Sequence, residues 1–311
     1  MGAYSAYLVS SSWPYSNAAT FRNWASVVDG TFITFGWVRT ADSGQIADWA
    51  TATGTYSGNA VLQYSVFRMA DSLQGSYPVF LKVEYGSNGG NNDGNSASIW
   101  ITLGTGSDGS GNITGIVASR RQLYNGTAEN TSMPCYFSGS TSRYCCILWP
   151  GNNQEYPYML FSVERTKNAS GADTGDGLLL LEQTYDGGPY SQYIPFSGTA
   201  PAGYAAWNCN IPTTVTPAIS GAYKNTVAVY PIRCWTPGES GPSSNIFLFQ
   251  KNDINVSVPP NVNTVQLTLF DGAVTGTYLP IYFATPVNVF GTSGVNRGTS
   301  GTSISILMRY E

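Results

Sequence analysis

Five cysteines carry the most reactive chemistry that this sequence offers. They are Cys135, Cys145, Cys146, Cys209 and Cys234, and the chain contains no histidine. Without histidine, the Ser-His-Asp and Cys-His catalytic arrangements and most zinc sites cannot be built from this chain. No C-x-x-C motif indicates a redox enzyme. We therefore interpret the cysteines as buried thiols or as partners in a disulfide.

Two pairs are candidates for an internal disulfide or a cross-link. Cys135 and Cys145 flank the Ser/Gly-rich segment 138–142, so a hairpin there could place them side by side. Cys209 and Cys234 lie in matching Trp-containing contexts. A reducing cytoplasm would keep all of these thiols reduced. Oxidation after release from the cell would let a pair close, or let the odd thiol join two subunits.

Carboxylates are the other groups that could support catalysis, because a glycoside hydrolase needs two of them about 5 to 9.5 Å apart. Carboxylates that alternate with apolar residues usually mark the solvent-exposed face of a strand, and sequence spacing does not bring any two together. We therefore predict no enzymatic activity, no catalytic residues and no cofactor. The candidates in the second half are Glu155, Glu164, Asp173, Asp176, Glu182 and Asp186.

The loop 108–112 is rich in Asp and Asn oxygens that a calcium ion would accept. Its spacing does not fit an EF-hand loop. Turns in which a side chain bonds the nearby backbone explain such residues without an ion. We therefore predict a turn here and no metal site.

Aromatic residues form the remaining candidate site. Trp13, Trp49, Trp207 and Trp235 are candidates for an exposed surface that packs against neighbouring proteins or stacks on sugar rings. A place in the hydrophobic core is the alternative for most of them. Burial at subunit contacts would favour assembly, and a cluster of open rings in one distal groove would favour sugar binding.

Composition indicates a surface covered by neutral polar and aromatic groups. The 311 residues include 35 Gly and 21 Tyr, and only 10% are charged, against about 25% in an average domain. A chain that packs against other chains needs little charge for solubility, although secreted and glycan-binding β proteins share this composition. The net charge of -4 argues against a nucleic-acid partner.

Neither targeting nor membrane insertion is expected from the sequence. The first ten residues lack the positive start and the apolar core of a signal peptide. No run of about 18 apolar residues is present.

Predicted strands and the turns between them carry most of the candidate residues, and one predicted helix precedes these strands in the chain. Apolar residues at three- and four-residue steps predict an amphipathic helix that Ser16 or Asn17 caps and Gly36 ends. Period-two alternation then predicts three strands of a half-buried sheet. The helix positions are Phe21, Trp24, Ala25, Val28, Phe32 and Phe35; the strand positions are Leu62, Tyr64 and Val66, then Val79, Leu81, Val83 and Tyr85, then Ile99, Ile101 and Leu103.

The remaining pattern is almost entirely strand. Short strands between Gly- and Pro-rich turns indicate a sandwich or barrel. We therefore predict a mainly β fold of β-sandwich- or barrel-like domains with one N-terminal helix packed on a sheet. The predicted domains are 1–124, a helix plus β-sheet module, and 125–311, a β-sandwich-like domain. Further strands are predicted at 37–40, 113–122, 144–149, 158–165, 178–185, 226–234, 245–250, 265–270, 278–283 and 303–310.

A set of motifs within the predicted sheet resembles a module of virion proteins from tailed bacteriophages, usually tail-associated. The motifs are R-x-A-D-x-L-Q at 68–74, P-V-F-x-K-x-E-Y-G at 78–86, W-x-T-x-G-T-G-S-D-G at 100–109 and S-R-x-Q at 119–122. The resemblance covers roughly residues 17–122 and brings no catalytic residues.

The resemblance implies a structural subunit of a virion, assembled in the host cytoplasm and placed in the tail, collar or baseplate. Its partners would be other virion proteins and copies of itself, with neither nucleic acid nor membrane insertion. The alternatives are a capsid decoration or cement protein and a glycan-binding receptor-recognition module of the tail, whose partner would be a host surface glycan.

Overall fold

The structure is a computed structural model of a mainly β protein. It describes residues 11–12, 18–52, 60–88, 96–124, 132–133, 135–148, 159–167, 172–184, 188–194 and 196, and six strands between residues 209 and 309. Two large antiparallel sheets and one N-terminal helix make up the described residues. This confirms the predicted mainly β fold with an N-terminal helix.

The helix α1 spans Ala18–Thr34, and a single 3-10 turn covers Trp49–Thr51. The strands are β1 (Ser11–Ser12), β2 (Val38–Arg39), β3 (Ala60–Arg68), β4 (Phe80–Asn88), β5 (Ser96–Ser107), β6 (Ile113–Tyr124), β7 (Ser132–Met133), β8 (Cys135–Ser140), β9 (Arg143–Leu148), β10 (Met159–Lys167), β11 (Asp173–Thr184), β12 (Gly188–Ile194), β13 (Cys209–Asn210), β14 (Val229–Cys234), β15 (Ser243–Asn252), β16 (Val265–Thr268), β17 (Thr275–Tyr282) and β18 (Ser303–Arg309).

The first sheet holds ten strands in the order β2-β3-β4-β5-β6-β11-β10-β9-β8, with β12 beside β11. The second holds six, in the order β13-β14-β15-β18-β17-β16, and β1 pairs with β7. The first sheet runs across the predicted boundary, because β6 pairs with β11 at Leu123 and Thr184. The division of the chain at residue 125 stays a prediction.

The apolar stripe of α1 is buried as its spacing predicts. All of its predicted core residues are at most 3% exposed, because they face the sheet. The helix ends at Gly36, whose φ of 88° is in the left-handed region. The Trp37 N–H donates to the Phe32 carbonyl and the Gly36 N–H to the Ile33 carbonyl, both at 2.9 Å. This pair of bonds is the Schellman ending that favours glycine.

One ring from α1 joins the two ends of the first sheet. Phe32 stacks on Phe67 of β3 with ring centroids 4.5 Å apart, and on Tyr144 of β9 with centroids 3.6 Å apart. Tyr144 also shares a 2.8 Å hydrogen bond with Thr31. The helix therefore packs against strands from both predicted halves of the chain.

The structure corrects the phase of β3. Leu62, Tyr64 and Val66 were expected to share the apolar side of the sheet, but Tyr64 and Val66 lie opposite Glu84 and Lys82, on the side away from α1. Val66 is nevertheless buried, as predicted. A register shift between Val61 and Gln63 inserts a β-bulge that reverses the alternation. The predicted inward residues of β4 and β5 are confirmed, since all of them are at most 1% exposed.

The second-half strands also follow the sequence, although their ends shift by a few residues. Each predicted strand from residue 144 onward overlaps an observed one, while β7, β8, β12 and β13 were not predicted. In the part of the chain that the structure describes, no helix has the length and apolarity to cross a membrane.

Candidate interaction surface

The side of the first sheet that faces away from α1 is here named the outer face. Residues directly opposite one another on neighbouring strands project to the same side, so the register defines its members. Leu81, Val83 and Tyr85 contact the helix side, which leaves the alternate positions outside. The rows of the outer face are Val38-Arg68-Phe80-Gly104-Ile116, then Val66-Lys82-Thr102, then Tyr64-Glu84-Trp100-Gln122, and finally Val61-Gly86-Ser98.

Three aliphatic side chains on the outer face are open to solvent. Val38 is 38% exposed, Val61 39% and Ile116 59%. Among the residues whose burial is described, the remaining exposed large hydrophobic residue is Ile33, on α1. Single exposed aliphatics are ordinary on a protein surface. All three belong to the outer face, on β2, β3 and β6 respectively, whereas Val66 and Trp100 of the same face are buried.

Between these aliphatics lies a cation–aromatic cluster formed by Tyr64, Lys82, Glu84, Trp100 and Arg120. The Lys82 ammonium lies 4.4 Å from the Tyr64 ring centroid, and the Arg120 guanidinium lies 4.8 Å from that of Trp100. Glu84 binds both cations, with its carboxylate 2.6 Å from Arg120 Nε and 3.6 Å from Lys82 Nζ. Because each charge already has a partner, the cluster presents a fixed pattern of charge rather than mobile side chains.

Two loops hold Tyr64 in place at the edge of the cluster. Its hydroxyl donates to the Ser43 carbonyl at 2.6 Å. Gly111 approaches the ring so closely that a Cβ there would lie 2.3 Å from the Tyr64 hydroxyl oxygen. Burial, together with the carboxylates of Asp42 and Asp108, raises the pKa of the Tyr64 phenol. The phenol therefore remains a neutral donor at physiological pH.

The loop that was considered for calcium is a turn closed by its own aspartate. The Asp108 carboxylate accepts the Ser110 N–H at 2.8 Å, the Asn112 N–H at 3.1 Å and the Asn112 side-chain amide at 2.7 Å. The Asn112 side chain is the first cause that holds the pKa of Asp108 below its usual range, and the backbone bonds add to it. The predicted turn is confirmed.

A second polar group lies on the opposite side of the sheet, where α1 meets it. Asp29 of α1 forms an ion pair with Arg39 and is 2% exposed, and the Tyr85 hydroxyl donates to it at 3.4 Å. Burial raises the pKa of Asp29, against the opposing effects of the nearby Ser65 hydroxyl and the Arg39 charge. The pKa of Tyr85 is raised chiefly by burial as well. This group anchors the helix to β2 and β4.

A buried ion pair connects the turn before β4 to β10. The Arg165 side chain is fully buried and pairs with Asp71, which is 7% exposed. Arg165 also donates to the Tyr77 carbonyl at 2.9 Å. Only Asp71 could be identified from the sequence, as a motif position, because the arginine that completes the pair is distant along the chain.

The structure distinguishes between the two candidate cysteine pairs. Cys135 and Cys145 belong to the β8–β9 hairpin, and both are buried thiols. They are not side by side, because Cys135 lies opposite Leu148 and Cys145 lies opposite Ser138. The register offset of three residues is about 10 Å along the strand, which is too far for a disulfide.

Cys209 and Cys234 do lie directly opposite one another, on β13 and β14. The sequence pointed to this pair only through the neighbouring tryptophans. The pairing of β13 with β14 places these two cysteines opposite one another, which their spacing in the sequence could not predict.

The candidate aromatic surface is corrected at one position. Trp49 is 7% exposed and packs edge-on against Tyr85, with ring centroids 5.0 Å apart. It belongs to the core because the 3-10 turn folds its ring toward α1 and β4. Trp13, Trp207 and Trp235 lie outside the described residues. Trp100 and Tyr64 provide aromatic rings on the outer face that the sequence analysis did not single out.

The register of β10 and β11 separates two of the candidate carboxylates along the strands. Glu164 lies opposite Leu178, and Glu182 lies opposite Leu160. The two glutamates are therefore four residues apart along the β10–β11 pair, or about 13 Å. Glu155 and Asp186 lie outside the described residues.

Comparison of the chain with known protein families, curated proteins and solved structures gives no match.

Proposed function

We propose that this protein is a structural, non-enzymatic subunit of a tailed-phage virion, in the tail, collar or baseplate, and that its outer face packs against a neighbouring copy of the chain. The observation that carries the packing proposal is the position of three exposed aliphatic side chains around the cation–aromatic cluster. The motif resemblance between residues 17 and 122 supplies the phage context.

Charge of both signs within one patch favours a copy of the chain as the occupant. A two-fold axis places the same patch on both sides of the contact. The paired charges of Glu84, Lys82 and Arg120 on one copy then face the same pattern on the other while the aliphatic side chains meet. Electrostatic complementarity of this kind favours one orientation over others. The low charge of the whole chain, at 10%, fits a protein whose surface is covered by neighbours.

Trp49 and Trp100 are not placed to stack on a sugar. Trp100 is 4% exposed beneath Arg120, and Trp49 is 7% exposed in the core. Stacking on a sugar requires an open ring face, and neither side chain offers one.

The packing proposal is tested by the oligomeric state of matched variants. Light scattering and sedimentation equilibrium should show a self-associating wild-type chain. Ile116→Asp places a charge on the outer face and should weaken association by about 30-fold or more, as loss of a central contact does. Ile33→Asp is the control, because Ile33 is 49% exposed but lies on α1. A monomeric wild type, or equal weakening by both variants, would overturn this proposal.

The virion proposal is tested separately by the copy number of this chain in purified source particles. Quantitative mass spectrometry gives that number relative to the major capsid protein. A few to some dozens of copies per particle would support the tail, collar or baseplate. Hundreds of copies would indicate a decoration protein, and absence from particles would refute the virion role.

A further inference from the structure

The edge of the second sheet brings two cysteines into register. β13 and β14 are antiparallel, with Cys209 opposite Cys234 and Asn210 opposite Arg233. Directly opposite residues in such a pair have Cα atoms about 4.5 or 5.5 Å apart. A disulfide spans Cα separations of about 4.4 to 6.8 Å. We propose that Cys209 and Cys234 form a redox modification site, which closes into an intrachain cross-strand disulfide when the protein meets a low-molecular-weight disulfide.

The described pairings of the first sheet place none of its cysteines directly opposite another cysteine. Cys135 and Cys145 are separated by the hairpin register, as described above. Burial is the main cause that raises the thiol pKa of both Cys145 and Cys146. A thiol that keeps its proton is a poor nucleophile in disulfide exchange. The strand register therefore favours a disulfide between Cys209 and Cys234, on β13 and β14.

The site also lies where a covalent link has a structural consequence. β13 is the edge strand of the six-stranded sheet and consists of two residues. Two residue pairs hold it to β14. A bond between Cys209 and Cys234 would fix this edge strand to its neighbour and close the chain segment between them. The proposed disulfide depends only on this register and is independent of the proposed virion role.

The reaction is a thiol–disulfide exchange with oxidised glutathione as the oxidant. The thiolate of one cysteine attacks a glutathione sulfur, which forms a mixed disulfide and releases one glutathione thiolate. The thiolate of the second cysteine attacks the protein sulfur of that mixed disulfide and releases the second glutathione. Two protein thiols lose two electrons and two protons, and one oxidised glutathione becomes two reduced glutathione molecules.

Peptide mapping of the full chain distinguishes the possible links. Trypsin cuts after Lys167, Lys224, Arg233 and Lys251, so Cys209 falls in peptide 168–224 and Cys234 in peptide 234–251. The folded protein is incubated with oxidised glutathione, and the thiol exchange is then stopped with acid. The protein is next unfolded in the presence of an alkylating reagent and digested without reductant. We expect the two peptides to be joined and the alkylatable thiols to fall from five to three.

Two serine variants provide the controls. Cys209→Ser should abolish the joined peptide, and Cys135→Ser should keep it. If Cys209→Ser does not fold, the wild-type map still decides the question. Alkylation of both cysteines, a stable glutathione adduct on either of them, or a link between peptides 122–143 and 144–165 would overturn the proposal.

Discussion

At the scale of single residues, the fold places a carboxylate where water cannot stabilise its charge. Asp29 lies under the sheet with Arg39 and Tyr85, and burial raises its pKa. A buried ion pair of this kind gives little net stability, because the cost of removing both charges from water offsets their attraction. Its main effect is to fix where α1 sits on the sheet.

The raised pKa of Asp29 predicts a specific dependence of stability on pH. The folded state keeps the proton of Asp29 to a higher pH than the unfolded state does, so the group contributes most to stability below about pH 4. That contribution is lost as the pH rises through the folded pKa. Asp29→Asn removes this titrating group. The unfolding free energy of the wild type minus that of the variant should therefore fall as the pH rises above about 4.

Urea denaturation at a series of pH values measures this difference. Asp108→Asn is the control of opposite sign, because hydrogen bonds lower the pKa of Asp108. For Asp108→Asn, the unfolding free energy of the wild type minus that of the variant should grow as the pH rises through the folded pKa of Asp108 toward about 4. Parallel stability curves for wild type and Asp29→Asn would contradict the assignment.

The burial of a single residue could be predicted from the sequence only where a local pattern marks that residue. The burial of Phe21 and Val28 follows from helical spacing. The burial of Asp29 does not, because its partners Arg39 and Tyr85 are brought to it by the sheet. The outer-face cluster was missed for the same reason. Lys82, Trp100 and Arg120 lie on three strands, and only their register brings them together.

At the scale of the elements, the end of α1 depends on one glycine. Gly36 has a φ of 88°, and a Cβ there would lie 2.9 Å from the Thr141 side chain. Gly36→Ala should therefore lower the unfolding free energy by about 1 to 2 kcal/mol. Gly30 lies inside the helix with nothing within 4 Å of an added Cβ, so Gly30→Ala should raise it by roughly 0.5 to 1 kcal/mol.

Thermal and urea denaturation of these two glycine variants provide a test that is internally controlled. The same substitution should change stability in opposite directions within one turn and a half of helix. Equal effects of the two variants would mean that the helix ending does not depend on the left-handed backbone at Gly36.

The helix and most strands could be predicted because their signals are local. Spacing of three and four identifies α1, and period two identifies β4 and β5. The phase of β3 could not be predicted, since its bulge is a property of the pairing with β4 rather than of either strand alone. β8 was hidden because Cys135–Ser140 contains two serines and a glycine, which are typical of turns.

At the scale of the whole molecule, strand order could not be predicted from the sequence. The Asn- and Gly-containing stretch after residue 124 predicts a boundary, yet β6 pairs with β11 beyond it. That pairing is non-local, and nothing in the sequence of either strand specifies its neighbour. The sheet therefore joins segments that composition alone would separate.

Phe32 offers a direct test of whether the two ends of the first sheet are energetically coupled. Its ring stacks on Phe67 of β3 and on Tyr144 of β9, and it is 0% exposed. Phe32→Ala should cost about 3 to 5 kcal/mol, as loss of a buried aromatic ring does. Because both stacks are lost together, amide hydrogen exchange should accelerate in β3–β5 and in β9–β11 alike.

Ile33→Ala is the matched control, since Ile33 is the next residue of α1 and is 49% exposed. Its exchange rates should stay close to those of wild type, because little buried apolar area is removed. Faster exchange in β3–β5 alone, with β9–β11 unchanged, would contradict the coupling. That outcome would mean that the segments on either side of residue 125 hold their structure independently, as a two-domain chain does. Faster exchange in both sets would mean that α1 makes one cooperative unit of strands from both sides of that position.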